Sequence, residues 1–275
     1  MRVTLNGCVV SDDDKWLYDW FGVQAFTPGM VRQAIQDNPE GEDLIFEVNS
    51  PGGYVEAGHE MYSVLRSAHG RIHTVAEVQS VAASAASVMI CGCDHVAIGP
   101  ASQLMIHLPA VQTSGNVHTH QASIRMLEST RTAILNAYEL RCKGKTSRAQ
   151  LEEMVEQESW FSAQDAVAAG LADSILYLEG ETPLEIPDDL TTSLGCGIRA
   201  LVNSSGMMPS AAALRAEYER RVIAGAAPAD GHPVATPEAV PSAPDDSETP
   251  AGDAPAVRDD WRAKARLDIE KSRFF

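Results

Sequence analysis

The chain has no apolar run long enough to cross a bilayer, and its start, Met1-Arg2-Val3-Thr4-Leu5-Asn6-Gly7, lacks the apolar core of an export signal. It is poor in cationic side chains. Its 21 lysines and arginines face 38 aspartates and glutamates, for a formal net charge of −17. That balance argues against nucleic acid or a membrane surface as partner. Cysteines are few, odd in number and scattered: Cys8, Cys91, Cys93, Cys142 and Cys196. Without an export signal they read as reduced thiols of a cytoplasmic protein. Cys91 and Cys93 form a lone C-x-C with no second pair, so buried small residues are expected there. No metal or organic cofactor is called for.

What is present suffices for a full-sized core, since 44% of the 275 residues are hydrophobic. Up to about residue 177 strand-like and helix-like segments alternate. Strands are predicted over 2–10, 44–48, 71–78, 95–98, 103–106 and 174–178. Helices are predicted over 28–36, 54–67, 84–91, 118–142, 147–156 and 163–169. Such alternation predicts an α/β fold, a parallel sheet covered by helices. In the long helix Ile124, Leu127, Ile134, Leu135 and Tyr138 form an apolar stripe. Ser147 followed by Gln150 predicts a capping box.

The character changes near residue 206, which divides the chain into a domain over 1–205 and an acidic tail over 206–275. Residues 226–256 hold seven of the fifteen prolines and no aromatic residue. Such a stretch buries too little apolar surface to offset its ordering entropy and is expected to be disordered. Short helices are expected over 211–223, as an isolated amphipathic segment, and over 258–275.

Three short stretches carry the chemistry. Ser84 stands in Ser80-Val81-Ala82-Ala83-Ser84-Ala85-Ala86-Ser87, between a β-rich run and a small-residue helix. A serine at a helix start lies near the positive end of the dipole, and the Ala85 N–H beside it is an orphan donor. Gly52 and Gly53, in Asn49-Ser50-Pro51-Gly52-Gly53, permit backbone angles closed to other residues, so an amide can turn outward. The Gly53 and Ala85 amides then make a candidate oxyanion hole. His107, in Met105-Ile106-His107-Leu108-Pro109, is the only one of eight histidines embedded in an apolar strand. Each stretch alone has a plain structural account: a packed small-residue helix, a strand-to-helix turn, a core histidine. Together they supply the nucleophile, oxyanion donors and general base of a serine hydrolase. Ser87, one turn on, is expected to be buried. His118 and His120 lie in a polar stretch without the company a metal site needs.

In combination these motifs resemble the proteolytic subunit of the Clp protease and its phage-encoded relatives, over residues 2–178. The family's Ser-Pro-Gly-Gly turn stands at Ser50-Pro51-Gly52-Gly53, its Ala-Ala-Ser at Ala82-Ala83-Ser84, and its Met-Ile-His-x-Pro at Met105 to Pro109. The family's closing pattern matches Ser162-Ala163, Ala166, Gly170, Leu171 and Asp173. The resemblance implies a Clp/crotonase-like β/β/α superhelical fold with a long handle helix. It implies Ser84 as nucleophile, His107 as base, and Gly53 and Ala85 as the oxyanion hole. It further implies peptide substrates and a homo-oligomeric ring. The triad acid falls on Glu158 where the family has aspartate, with Glu156 in reserve.

Two further departures bear on partners and substrate. The residues that line the family's pore and dock its unfoldase ATPase have no counterpart before the first strand, which counts against that partner. Residues 111–116 replace the family's glycine-rich strand. The side-chain pocket is expected from 106–109, 112–116 and the long helix. With the acidic tail, these departures favour a phage or prophage head-maturation protease acting on capsid and scaffold proteins. A bacterial-type subunit, a crotonase-like acyl-CoA enzyme and an inactive scaffold subunit are the alternatives.

Overall fold

The computed structural model describes residues 1–177 and 210–223. Its centre is a parallel sheet of β1 (Arg2–Val9), β3 (Leu44–Gly53), β4 (Thr74–Ala83) and β5 (His95–Ile98). β2 (Ala25–Phe26) and β8 (Ser174–Ile175) flank it, giving the order β2-β1-β3-β4-β5-β8. In β3 the inward residues Leu44, Phe46 and Val48 are fully buried and their neighbours are not, the period of two expected of a strand. α2 (Pro28–Asp37) starts where Thr27 accepts from the Met30 N–H and Pro28 presets the first turn. α3 (Val55–Ala68) follows β3 directly.

β4 forks the sheet. Its first half, Val75 to Val78, pairs with β5, and its last residues, Val81 to Ala83, pair with β6 (Gln103–Ile106). β6 in turn pairs antiparallel with β7 (Ser159–Phe161). Between β4 and β5 runs α4 (Ala85–Ile90), buried at every residue. α5 (Val117–Cys142), α6 (Arg148–Glu156) and α7 (Ala163–Ala169) complete the body. The predicted capping box at Ser147 and Gln150 is formed. α7 stops at Gly170, whose φ of 82° is left-handed.

Several expectations need correction. β3 does not end at Val48; it runs through Ser50-Pro51-Gly52-Gly53, pairing Gly52 and Gly53 with Cys8 and Val9. A register shift between Val48 and Ser50 absorbs the proline without ending the strand. β4 begins at Thr74 and reaches Ala83, five residues past the expected end at Val78, because β6 takes over as its partner where β5 stops. The short α1 (Lys15–Trp20), β2 and β7 carry too few residues for a period and were not expected. The stripe on α5 is only half a core: Ile134, Leu135 and Tyr138 are buried, but Ile124 is 55% exposed. The helix is 26 residues long, and only its second half lies on the body.

The segment expected as an isolated helix is present but not isolated. α8 (Ala211–Ile223) buries Ala211 and Leu214 against Cys8, Val10, Leu17 and Tyr18. Its Arg215 pairs with the fully buried Asp14. Tyr218 meets the Trp16 and Trp20 rings edge-on, at 5.2 and 5.0 Å between centroids. The expected disorder over 226–256 and the helix over 258–275 lie outside the described residues, as does Cys196. Cys8, Cys91, Cys93 and Cys142 are all buried free thiols. Burial pushes Cys91 and Cys93 up to about 12, and Cys8 and Cys142 to about 11. Among the described residues no helix is long and apolar enough to cross a membrane.

Candidate active site

The fork in the sheet builds the site. Ala82 and Ala83 lie beside Leu104 and Met105 in parallel register, so Ser84, next after Ala83, and His107, two residues after Met105, leave the sheet close together. The Ser84 N–H donates to the Met105 carbonyl at 3.0 Å, which ties the end of β4 to β6. His107 Nε2 then lies 2.7 Å from Ser84 Oγ. Ser84 itself sits at φ 54°, ψ −124°, a region that costs a non-glycine residue about 1–3 kcal/mol. The chain makes a sharp strand-to-helix turn there, lifting the hydroxyl out of the sheet.

The glycine turn meets this elbow from β3. Gly52, at φ 97°, has no room for a side chain: a Cβ would lie 2.7 Å from Ser84 Cβ and 3.1 Å from the Ala85 nitrogen. Gly58 on α3 allows a similar approach, since a Cβ there would lie 2.7 Å from the Ala85 carbonyl oxygen. Two backbones with no side chains between them thus bring the Gly52–Gly53 and Ser84–Ala85 peptides together. Buried Ser50 accepts from the Gly52 N–H at 3.1 Å and stiffens the turn.

His107 is partly buried, and burial lowers its pKa while the Glu158 carboxylate opposes that shift. The imidazole is therefore neutral at pH 7 and able to accept a proton. Glu158 reaches it through the β6–β7 ladder. Ile106 faces Ser159 in antiparallel register, so one step further His107 faces Glu158. Glu158 holds a left-handed φ of 53° between α6 and β7. Among the described residues no hydrogen bond joins the two side chains. Glu156, the reserve, instead pairs with Arg131 on α5 at 2.6 Å.

A shallow cleft opens beside the elbow, lined by Val55, Ser84, Ala85, Val88, His107, Pro109, Ile134 and Tyr138. Of the lining expected from 106–109, 112–116 and the long helix, the first and last contribute, through His107, Pro109, Ile134 and Tyr138, while 112–116 do not and Val55 and Val88 take their place. Ser87, expected to be buried, is buried and hydrogen-bonded to Tyr138 at 2.7 Å. Neither Val55 nor Tyr138 carries a local cue to a cleft, because each is an ordinary apolar position of its helix.

A second serine–histidine contact, Ser174 to His95 at 2.9 Å, lacks these attributes. Asp173 stands 3.6 Å from His95 but is already held by Arg141 and by the Val96 N–H.

Comparison with known proteins gives the family. The proteolytic subunit 1 of the ATP-dependent Clp protease of Chlamydia abortus is 33% identical over 147 residues, 51% of this chain and 72% of the relative. Its counterpart in Chlamydia muridarum is 31% identical over 144 residues, covering 50% and 71%. Subunit 2 of Chlamydia pneumoniae is 28% identical over 153 residues, covering 54% and 71%. The sequence model described as Clp protease matches residues 31–179, more than half of the chain, and takes in β3, the elbow, His107 and Glu158. The chain belongs to the Clp protease family of peptidases.

Proposed function

We propose that the chain is a serine-type endopeptidase with Ser84 as nucleophile, His107 as general base and Glu158 as the acid that holds the imidazole. The observation that carries this is the 2.7 Å contact between Ser84 Oγ and His107 Nε2 at a strained elbow on the cleft. His107 takes the hydroxyl proton as Ser84 attacks the peptide carbonyl. The Gly53 and Ala85 amides receive the oxyanion. His107 then protonates the departing amine, and water, activated by the same imidazole, hydrolyses the ester. The apolar wall of Val55, Val88, Ile134 and Tyr138 suits a substrate residue with an apolar side chain.

In this reading the protein works in the cytoplasm as a homo-oligomeric ring, and the exposed first half of α5 offers a face to a second copy. Its substrates are capsid and scaffold proteins of a phage head. Support comes from the acidic, proline-rich 226–256 and from α8, both beyond the part that matches the family. The second reading, a subunit fed by an unfoldase ATPase, is favoured by relatives that are named ATP-dependent. Cleavage of capsid or scaffold protein without nucleotide supports the first; degradation only with an added ATPase supports the second.

The chemistry is tested by intact-mass spectrometry after a fluorophosphonate probe. One adduct is expected on the wild type and on Ser174→Ala, and none on Ser84→Ala. An unlabelled wild type overturns the serine mechanism.

A further inference from the structure

We infer that Ser87 and Tyr138 are positioning residues that aim the Ala85 N–H at the oxyanion, through a hydrogen-bonded relay from the long helix α5. The inference rests on the serine mechanism above and adds two side chains to it. Ser87 Oγ donates to the Ser84 carbonyl oxygen at 2.6 Å and lies 2.7 Å from the Tyr138 hydroxyl. Each hydroxyl has one proton. Since that of Ser87 is committed to Ser84, the Tyr138 proton must be given to Ser87. The order is Tyr138 O–H to Ser87 O–H to the Ser84 carbonyl. Both side chains are buried, Ser87 at 0% and Tyr138 at 1% exposure, so water does not compete for these bonds.

The Ser84 carbonyl also accepts from the Ser87 and Val88 N–H groups, at 3.0 and 3.2 Å. Three donors therefore grip one oxygen. That oxygen belongs to the same planar peptide as the Ala85 nitrogen. In a trans peptide the N–H points opposite to the C=O, so fixing the oxygen fixes the direction of the N–H. A helix start ordinarily holds such a peptide only by its intrahelical N–H donors, and the Ser87 hydroxyl adds a side-chain grip to them. Here the Ser84 N–H is fixed on the other side by Met105, and the strained φ of 54° is held from both ends. The relay also polarises the peptide, which strengthens its N–H as a donor. Ser87 follows the nucleophile by three residues, but Tyr138 is fifty-one residues further on, in the helix whose first half is exposed.

The test is Tyr138→Phe and Ser87→Ala, alone and together, against the wild type. Tyr138→Phe keeps the ring that lines the cleft and removes only the hydroxyl. Mis-aiming one oxyanion donor is expected to lower kcat about tenfold, less than the loss from deleting a donor outright. KM for a peptide ester should stay within about twofold, because ground-state binding uses the cleft wall. Affinity for a peptide aldehyde, which forms the tetrahedral adduct, should fall by the same factor as kcat/KM. The double variant should be no worse than Ser87→Ala, since both break one chain of bonds. Thermal melting of each variant separates loss of folding from loss of aim. Unchanged kcat and aldehyde affinity in a folded Ser87→Ala, with the wild type labelled at Ser84, overturn the relay alone. A wild type that takes no label overturns the serine mechanism and the relay with it.

Discussion

Two seams of this molecule each close around a fully buried polar side chain, and they do so by opposite means. At the elbow, Ser87 is neutral and is satisfied by neutral partners, the Ser84 carbonyl and the Tyr138 hydroxyl. At the seam between α1 and α8, Asp14 is an acid at 0% exposure, paired with an arginine that is itself 42% exposed. The first seam lies within the part of the chain that matches the family, and the second joins two segments outside it. A neutral network of short bonds fixes angles, which is what an oxyanion donor needs. An ion pair with one half-exposed member fixes proximity, and it loosens where water and salt reach it. The elbow is thus organised for aim, and the α1–α8 seam for attachment.

The largest effect should come from the elbow. Ser84→Ala is expected to lower kcat on the order of 10⁴-fold or more while leaving the fold intact. Ser84→Gly should be equally inactive yet more stable by about 1 kcal/mol, because glycine takes φ 54° without strain. Peptide-ester hydrolysis and thermal melting read the two quantities separately. A Gly variant that melts below wild type would show that the elbow is not strained.

The next effect concerns the acid. Glu158→Gln should lower kcat by less than the roughly 10⁴-fold of a hydrogen-bonded triad carboxylate, because no hydrogen bond among the described residues joins Glu158 to His107. Activity should fall as pH drops through the His107 pKa, which lies below the usual 6.5. Because the Glu158 carboxylate raises that pKa, removing its charge should move the acid limb to lower pH. Glu156→Gln should change neither the rate nor the limb, since its partner is Arg131. A pH–rate profile of both variants decides between them.

The smallest effect on catalysis should come from the second seam. Leu214→Ala removes a side chain that is 6% exposed and should weaken α8 docking by about 2–3 kcal/mol. Arg215→Ala should weaken it by about 1–2 kcal/mol, less than for a fully buried pair because the guanidinium is partly solvated. Neither loss can exceed the free energy of docking, since α8 then detaches and water reaches Asp14. Hydrogen exchange of the α8 amides reads the detachment. Activity should stay within about twofold, and a tenfold loss would erase the contrast between the seams.

Much of the body was legible because its signals are local. The strands over 95–98 and 103–106 have unbroken apolar stretches, and α7 has both a capping serine and a terminal glycine. The site was legible as a set of residue types, because glycine pairs and a histidine in an apolar strand need a reason. What stayed hidden depends on pairing between distant segments. The extension of β4 to Ala83 exists only because β6 replaces β5 beside it. The register that sets Glu158 against His107 needs β7, three residues long and without a period of its own. The docking of α8 rests on Asp14, Tyr18 and Trp20, about two hundred residues away in sequence. The exposed half of α5 carries an apolar stripe that suggests a core, although no other described element covers it.

The buried thiols bear on how the mechanism is diagnosed. Cys91 donates its proton to the Ser87 carbonyl at 3.1 Å, and with Cys93 it stays a thiol until about pH 12. Alkylating reagents act on exposed thiolate, and these side chains present almost none at neutral pH. Full activity after maleimide treatment is therefore expected of a Cys196→Ser variant, whose remaining cysteines are the four buried ones, and it sets a cysteine mechanism aside. Where maleimide does inhibit that variant, the rate of inactivation becomes a clock for the opening of the packed body around these thiols.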